Sequence, residues 1–450
     1  MRERALLFVF AAGCTLTPAY ERPTLPVANE YADGGGQGLA AADRGWREVF
    51  GDPRLQAVID LALRSNRDLR IAALNIELTR AQYRISRAAL LPSVNAIGGV
   101  DIRGRNSDIT GEYSVGVGAS FEIDLFGRAR SLKDAALEEY LATEEARRAT
   151  HLALVGEVVA QYLRERAYDE QRILAERTLA TVRESQTMTS RLMEAGQRSD
   201  LDVRTAEAQV HAARAEVSRL GRLRAQAENA LVLLVGQPLP ENLPAAQLLE
   251  TASVIADLPA GVPSEVLLRR PDILGAEHRL RGANANIGAA RAAFFPTISL
   301  TGFAGFASTA LASLFTGGLA WSFAPRISVP LFTGGANKAN LDVAKVRKKI
   351  EVARYEQAIQ IAFREVADAL VARQLFDEQL EAQTARAAAE QKRFEISETR
   401  YRNGIESYVS VLAAQQDLYA TQQQLIELRL QRLTNLAQLY TALGGGWRDR

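Results

Sequence analysis

The residue types that could do chemistry are present in this chain, but their spacing does not assemble them into a site. Two acidic pairs, Glu138-Glu139 and Glu144-Glu145, offer the carboxylates that general acid–base catalysis needs. Both lie in a charged helical stretch and read as solvated faces. His151, His211 and His278 are far apart, and no metal-ligand spacing joins them. Gly334-Gly335 follow a strand-like run and open a helical one, an order that can place a phosphate on a helix N-terminus; a plain strand-to-helix joint explains it better. Glu122 and Asp124 alternate with apolar neighbours and read as the polar lining of one strand face. We therefore expect no enzyme, no cofactor and no metal. Cys14 is the only cysteine, which excludes a disulfide framework. It follows Arg2, Arg4, an apolar run from Ala5 to Ala12 and Gly13, the basic–apolar–small order of a secretory signal over 1–13.

The positioning elements start with the stretch YSVGVGASFEIDL, 113–125. Tyr113, Val115, Val117, Ala119, Phe121, Ile123 and Leu125 alternate with small or polar residues. A period of two marks a strand with one apolar face. Tilted near 45°, it would rise about 30 Å, the thickness of a bilayer core. Taken alone it fits either a half-buried sandwich strand or a lipid-facing barrel strand. The chain has 450 residues, 47% hydrophobic and 24% charged, with net charge +1. That is globular composition, and the charge balance argues against nucleic acid as a partner. No apolar run reaches the length of a membrane helix, so any span must be β.

An internal repeat organises the rest. Asp68 corresponds to Asp272 and Pro92 to Pro296 at an offset of 204, Phe126 to Phe332 at 206, and Gly196 to Gly404 and Gly236 to Gly444 at 208. We expect a signal at 1–13, a lipidated extended tether at 14–52, a first repeat at 53–240, a linker at 241–263, a second repeat at 264–443 and a tail at 444–450. Each repeat reads as a helix, a β-hairpin and a long helical hairpin. The β-hairpins span 94–125 and 297–331, the helical hairpins 129–235 and 336–443. RGRNSDITGE reads as the first hairpin loop, and Pro325 and Pro330 predict a bent fourth strand. The helix opening the second repeat reads as broken by Pro271 and several glycines, unlike the uninterrupted 53–91. Ala336 to Asn403 is 68 residues without Gly or Pro, about 100 Å of helix, with coiled-coil spacing at Val352, Ile359 and Val366. Four strands cannot close a barrel, and an open edge in lipid leaves backbone groups unpaired, so identical copies must complete the tube. The fold class is thus a mixed α and β membrane protein with two internal repeats: a trimeric 12-strand β-barrel joined to a long α-helical barrel.

The run LRRPDILGAEHRLRGANANIGAARAAFFPTISLTG, 268–302, resembles the signature of TolC-type outer-membrane factors, and more narrowly their OprM/NodT lipoprotein branch. FEIDLFGRAR, VPLFTGGANKANLDVAK and LYTALGGGW are similar to the same family. The resemblance implies a homotrimeric conduit in the outer membrane that reaches into the periplasm. It implies as partners a periplasmic adaptor, an inner-membrane pump, often proton-driven, and outer-membrane lipid. Cys14 resembles a lipoprotein acceptor, with Ala11 where that pattern prefers Leu. Carried over from the family, the periplasmic gate falls on Tyr401, Glu406, Tyr408, Val409, Ser410 and Ala413, with Asp202 and Arg204. The adaptor would dock at Gly196, Arg198, Ser199, Asn403, Gly404 and Ser407. Ser410 and Ala413 stand where relatives often place an acidic ring, and Glu406 where some place a basic link. We therefore expect closure by packing of Tyr408 and Val409 more than by charge, with Arg402 or a neighbour's Arg204 as substitute partner for Asp202. The implied function is an efflux channel; a type I secretion conduit and a trimeric surface stalk are the alternatives.

Overall fold

The computed structural model describes residues 15–28, 44–105, 108–250, 269–316 and 318–445. Cys14 and the expected signal lie outside the described residues. In chain order the elements are α1 Trp46–Val49, α2 Pro53–Ser65, α3 Arg67–Ala88, β1 Ser93–Arg105 and β2 Asp108–Ile123. After them come α4 Arg128–Glu194, α5 Asp200–Val235, α6 Pro271–Ala292, β3 Thr297–Ser308 and β4 Leu319–Ser328. The helices α7 Ala336–Arg402 and α8 Tyr408–Ala442 close the series. Contacts divide the chain into two units: 1–25, 73–146 and 272–358 in the first, 26–72, 147–271 and 359–450 in the second. The long helices α4 and α7 each contribute to both. Among the described residues no helix is long and apolar enough to cross a membrane.

The first unit holds a four-stranded antiparallel sheet in the order β1-β2-β3-β4. Its register sorts the side chains. Val94, Ala96 and Val100 of β1 pair with Ala119, Val117 and Tyr113 of β2. Val115, Val117, Phe121 and Ile123 pair with Phe306, Ala304, Leu300 and Ile298 of β3. Those β3 residues pair with Leu319, Trp321, Pro325 and Ile327 of β4. Directly paired residues share a face, so one face is apolar across all four strands; a one-residue slip would turn it over. Val94, Val100, Trp321, Phe323 and Ile327 on it are exposed. The opposite face carries Ser93, Asn95, Ser114, Ser120, Glu122, Ser299, Thr301 and Arg326. It carries two large apolar exceptions. Ile97 lies over Gly118, and Phe303 over Gly116, filling the space that a Cβ on either glycine would need.

Several expectations need correction here. The described residues of RGRNSDITGE are strand rather than loop: the ladder runs out to Arg105 opposite Asp108, because pairing needs only backbone groups. β2 stops at Ile123 rather than Leu125. Asp124 leaves the strand because its carboxylate accepts from the Ala129 and Arg130 amides at 3.1 and 2.9 Å, starting α4. It therefore lines no strand face, and Glu122 is held by Arg128 at 2.8 Å. β4 passes straight through Pro325, tolerated on a strand at the edge of this chain's sheet, and ends before Pro330. The run 53–91 breaks at Asn66, whose side-chain oxygen caps the Leu69 amide at 2.8 Å while its amide donates to the Leu234 carbonyl.

Conversely, α6 is unbroken. Pro271 occupies its first turn, where no amide is needed. A Cβ on Gly275 or Gly282 would sit 3.5 and 3.4 Å from the Ala142 and Ala135 carbonyl oxygens of α4, so these glycines let two helices approach. On that same face of α4, Glu138 accepts or shares a proton with His278 Nδ1 at 2.7 Å, and Glu145 is buried. The acidic pairs are therefore not merely solvated; their i, i+7 members face α6.

The expected tether 14–52 contains two docked pieces. In the first unit, residues 16–22 lie along α6. Thr17 Oγ1 meets Ser131 Oγ at 3.0 Å, and the Pro18 and Leu16 carbonyls accept from Asn284 and Arg291. Arg22 binds both oxygens of buried Glu277, at 3.1 and 2.7 Å. In the second unit, Trp46, Val49 and Phe50 enter the main core with Leu55, Val58, Val155, Tyr162, Leu439 and Tyr440. Asp52 there accepts from the amides that open α2 and from the Tyr162 hydroxyl at 2.7 Å.

Candidate functional site: the helical tip of the second unit

The two helical turns that the repeat places in register are built alike. The Gly196 amide donates to Met193 O at 2.9 Å and Gln197 to Leu192 O at 2.8 Å. The Gly404 amide donates to Tyr401 O and Ile405 to Arg400 O, both at 2.9 Å. Both glycines sit at positive φ, +71° and +74°, the left-handed geometry that ends a helix by returning its orphan carbonyls to the chain. Three residues later each turn caps the next helix with a serine. Ser199 exchanges bonds with Asp202: its hydroxyl takes the Asp202 amide, and the Asp202 carboxylate takes the Ser199 amide at 3.2 Å and its hydroxyl at 2.9 Å. Ser407 accepts the Ser410 amide at 3.4 Å, and the two hydroxyls meet at 3.1 Å.

Behind the turns is a small hydrophobic cluster of Ala206, Tyr401, Tyr408 and Val411, with Phe394 against it. The Tyr401 and Tyr408 ring centroids are 5.6 Å apart, and the Arg198 guanidinium lies 4.7 Å over the Tyr401 ring. Burial pushes the Tyr408 hydroxyl above its ordinary pKa, an effect that the Ser185 hydroxyl partly offsets. The Tyr401 hydroxyl is buried without a hydrogen-bond partner among the described residues.

The structure therefore rearranges the roles expected for these residues. Tyr401 and Tyr408 are both 4% exposed and hold the chain's own tip together. Tyr408 begins α8 on the side facing α4 and α5 and packs inward within one chain. Val409, the next residue round the helix, is 66% exposed, as a constriction residue needs. Ala413 is exposed one turn on, and Ser410 is half-buried. Asp202 is committed to its cap. Arg204 pairs within its own helix with Asp200 and Glu207, at 3.6 and 3.0 Å. Glu406 pairs with Arg400 at 3.1 Å, and Arg402 with Glu398 at 2.8 Å. The substitute partners expected for Asp202 are thus occupied in one chain. Gly196, Ser199, Asn403, Gly404 and Ser407 are exposed together at the turns, with the Asn403 amide tied to Thr399 O at 2.9 Å. Arg198 is instead half-buried on Tyr401. Sequence reasoning placed Arg198 and Tyr401 in different groups; only the fold brings them together.

The site holds no nucleophile–base pair. Among the described residues no group of three or more His, Cys, Asp or Glu is arranged to hold a metal ion. What the arrangement offers is a pair of rigid, capped turns with small polar residues outward and an aromatic brace inward.

Comparison with known proteins finds the family model described as outer membrane efflux protein matching residues 58–237 and 262–445. The toluene efflux pump outer membrane protein TtgC of Pseudomonas putida is 48% identical over 455 residues, covering 97% of this chain and 94% of that protein. The cation efflux system protein CusC of Escherichia coli is 42% identical, covering 97% and 96%. Among solved structures, the open state of the MtrE outer membrane channel of Neisseria gonorrhoeae superposes with a TM-score of 0.90 at 43% identity, covering 97% of this chain and 99% of that one.

Proposed function

Because the chain belongs to the outer membrane efflux protein family, whose members are outer-membrane channels, we propose that it is the passive conduit of a tripartite efflux system. In this reading three copies join β4 of one to β1 of the next, and twelve strands close a barrel whose apolar outside meets outer-membrane lipid. The helices of the three copies form the periplasmic tube. Cys14 carries the lipid anchor, no catalytic step is involved, and a periplasmic adaptor links the tip to an inner-membrane pump of the proton-driven type. The observation that carries the reading is the four-stranded sheet, apolar over one whole face and unpaired at both edges within the chain. In lipid each unpaired edge group costs several kcal/mol, which only a neighbouring strand removes.

Substrate choice belongs to the pump. The chain is 48% identical to a relative named for toluene and 42% identical to one named for cations, so similarity to this chain does not follow substrate class. Deleting the gene should raise accumulation of a hydrophobic dye in cells, and the full chain supplied in trans should restore export. Unchanged accumulation under conditions in which the chain is made would overturn the reading. Cysteines at Ser199 or Ser407 should crosslink to an adaptor; crosslinks confined to the barrel end would contradict the tip as the docking surface.

A further inference from the structure

Within the second unit, α4, α5 and α8 line a half-open cavity of about 240 Å³. Its apolar lining is Ala175 and Val182 from α4, Ala212 and Ala213 from α5, and Leu412 from α8. Short residues at three facing positions leave a gap where knobs would pack. An apolar cavity of roughly 150 Å³ is enough to take up benzene, so this one has room for a substituted aromatic ring.

The lining also carries polar side chains, Thr178, Gln209, Gln415, Gln416 and Tyr419, and at the Glu216 end the bonding is asymmetric. Glu216 Oε1 accepts from Arg219 Nη2 at 2.7 Å, Gln423 Nε2 at 3.1 Å and Tyr419 OH at 3.4 Å, whereas Oε2 accepts only from Arg219 Nε at 2.7 Å. A carboxylate oxygen has two lone pairs, so Oε2 retains one. The Arg219 guanidinium, with Gln423 and Tyr419, keeps this carboxylate ionised against its burial. Gln415 also lines the cavity, and its carboxamide makes no hydrogen bond among the described residues. It offers both a donor and an acceptor. The walls therefore select an apolar ring, and the polar end rewards a ligand that donates a proton. A carboxylic acid is repelled by Glu216, and a cation finds its counter-charge already taken by Arg219.

From this geometry we infer that the cavity is a binding site for a small neutral phenol-like molecule, lodged in the helical wall with its ring among the alanines and its hydroxyl donating toward Glu216 Oε2 or Gln415. The inference does not depend on the conduit reading. The site lies between helices of one chain, and all three helices lead directly into the tip turns.

The test uses crystals and solutions of the full-length protein with 4-iodophenol as the probe, located by the anomalous signal of iodine. An iodine peak between Ala212 and Leu412 is expected in the parent, with saturable binding by calorimetry. Ala212→Phe fills the cavity and should remove both. Should that variant misfold, Gln415→Ala leaves the walls intact and is expected to weaken binding about 10-fold, as is replacing the probe with iodobenzene. A parent without the peak, a peak that persists in folded Ala212→Phe, or equal affinity for 4-iodophenol and iodobenzene would each overturn the assignment.

Discussion

Glu277 is the point at which the N-terminal segment is fastened, and replacing it with Gln isolates the part played by its charge. The residue is 3% exposed. It receives two bonds from Arg22, one from Tyr20 at 3.2 Å and one from Arg281 at 2.7 Å. Hydrogen bonds to a buried charge are worth about 1.5–3 kcal/mol each, but the Arg22 side chain is 44% exposed, so solvent screening takes roughly half of that. With the Tyr20 bond, Glu277→Gln should loosen residues 16–22 by about 2 kcal/mol, roughly a 30-fold rise in their rate of cleavage by a nonspecific protease at neutral pH. The pH dependence follows from the carboxyl itself. Burial alone would raise its pKa, but Arg22 and Arg281 outweigh burial and hold it below the ordinary value. A depressed carboxyl contributes stability above its unfolded pKa of about 4.3 and loses it as pH falls through the lower folded value. Protection of 16–22 from proteolysis, corrected for cleavage of the free peptide, should therefore be constant above pH 5 and decline below about pH 4 in the parent, and be flat in Glu277→Gln. Gly288→Ala is the uncharged control, because its Cβ would sit 2.1 Å from Thr17 Oγ1 and 2.9 Å from Thr17 Cα. It should free the same segment without changing the pH response. Unchanged cleavage in Glu277→Gln beside increased cleavage in Gly288→Ala would refute the charge argument.

Other outcomes follow from individual contacts. Val409→Ala should widen the constriction and raise single-channel conductance in planar bilayers; conductance no greater than the parent's would remove Val409 from that role. Tyr401→Phe deletes a buried hydroxyl that has no partner among the described residues, so the tip should keep its stability or gain up to about 1 kcal/mol by chemical denaturation, and a loss would reveal a bond not accounted for. Asp52→Ala removes a helix cap and the acceptor for Tyr162, and should cost about 3 kcal/mol in local opening of α2 measured by hydrogen exchange; a loss under 1 kcal/mol would mean that water replaces both contacts.

Much of the architecture was legible because period and punctuation carry it. Alternation at 113–123 and 297–307 survives as strands, and the glycines at 196 and 404 end helices where the repeat placed them. What failed was reading polar residues as loops and glycines as breaks. Arg103, Gly104 and Gly111 belong to a ladder that needs no side chains, and Gly275 and Gly282 mark close helix contact. The break at Asn66 had a signal, an amide side chain three residues before Leu69, but only its second bond to Leu234 O makes the cap necessary. The tip was located correctly, yet the direction in which Tyr408 points depends on where α8 starts. A one-residue shift there would exchange Tyr408 with Val409. The Arg198–Tyr401 stack and the cavity beside Ala212 join segments more than a hundred residues apart, and no local pattern encodes them.

The account rests on the two unpaired edges of the sheet, β1 and β4. Native mass spectrometry of the detergent-extracted protein tests it most directly, by counting chains per particle. Three chains are predicted, with β1-to-β4 crosslinks between copies. A stable, folded single chain with both edges intact would contradict it.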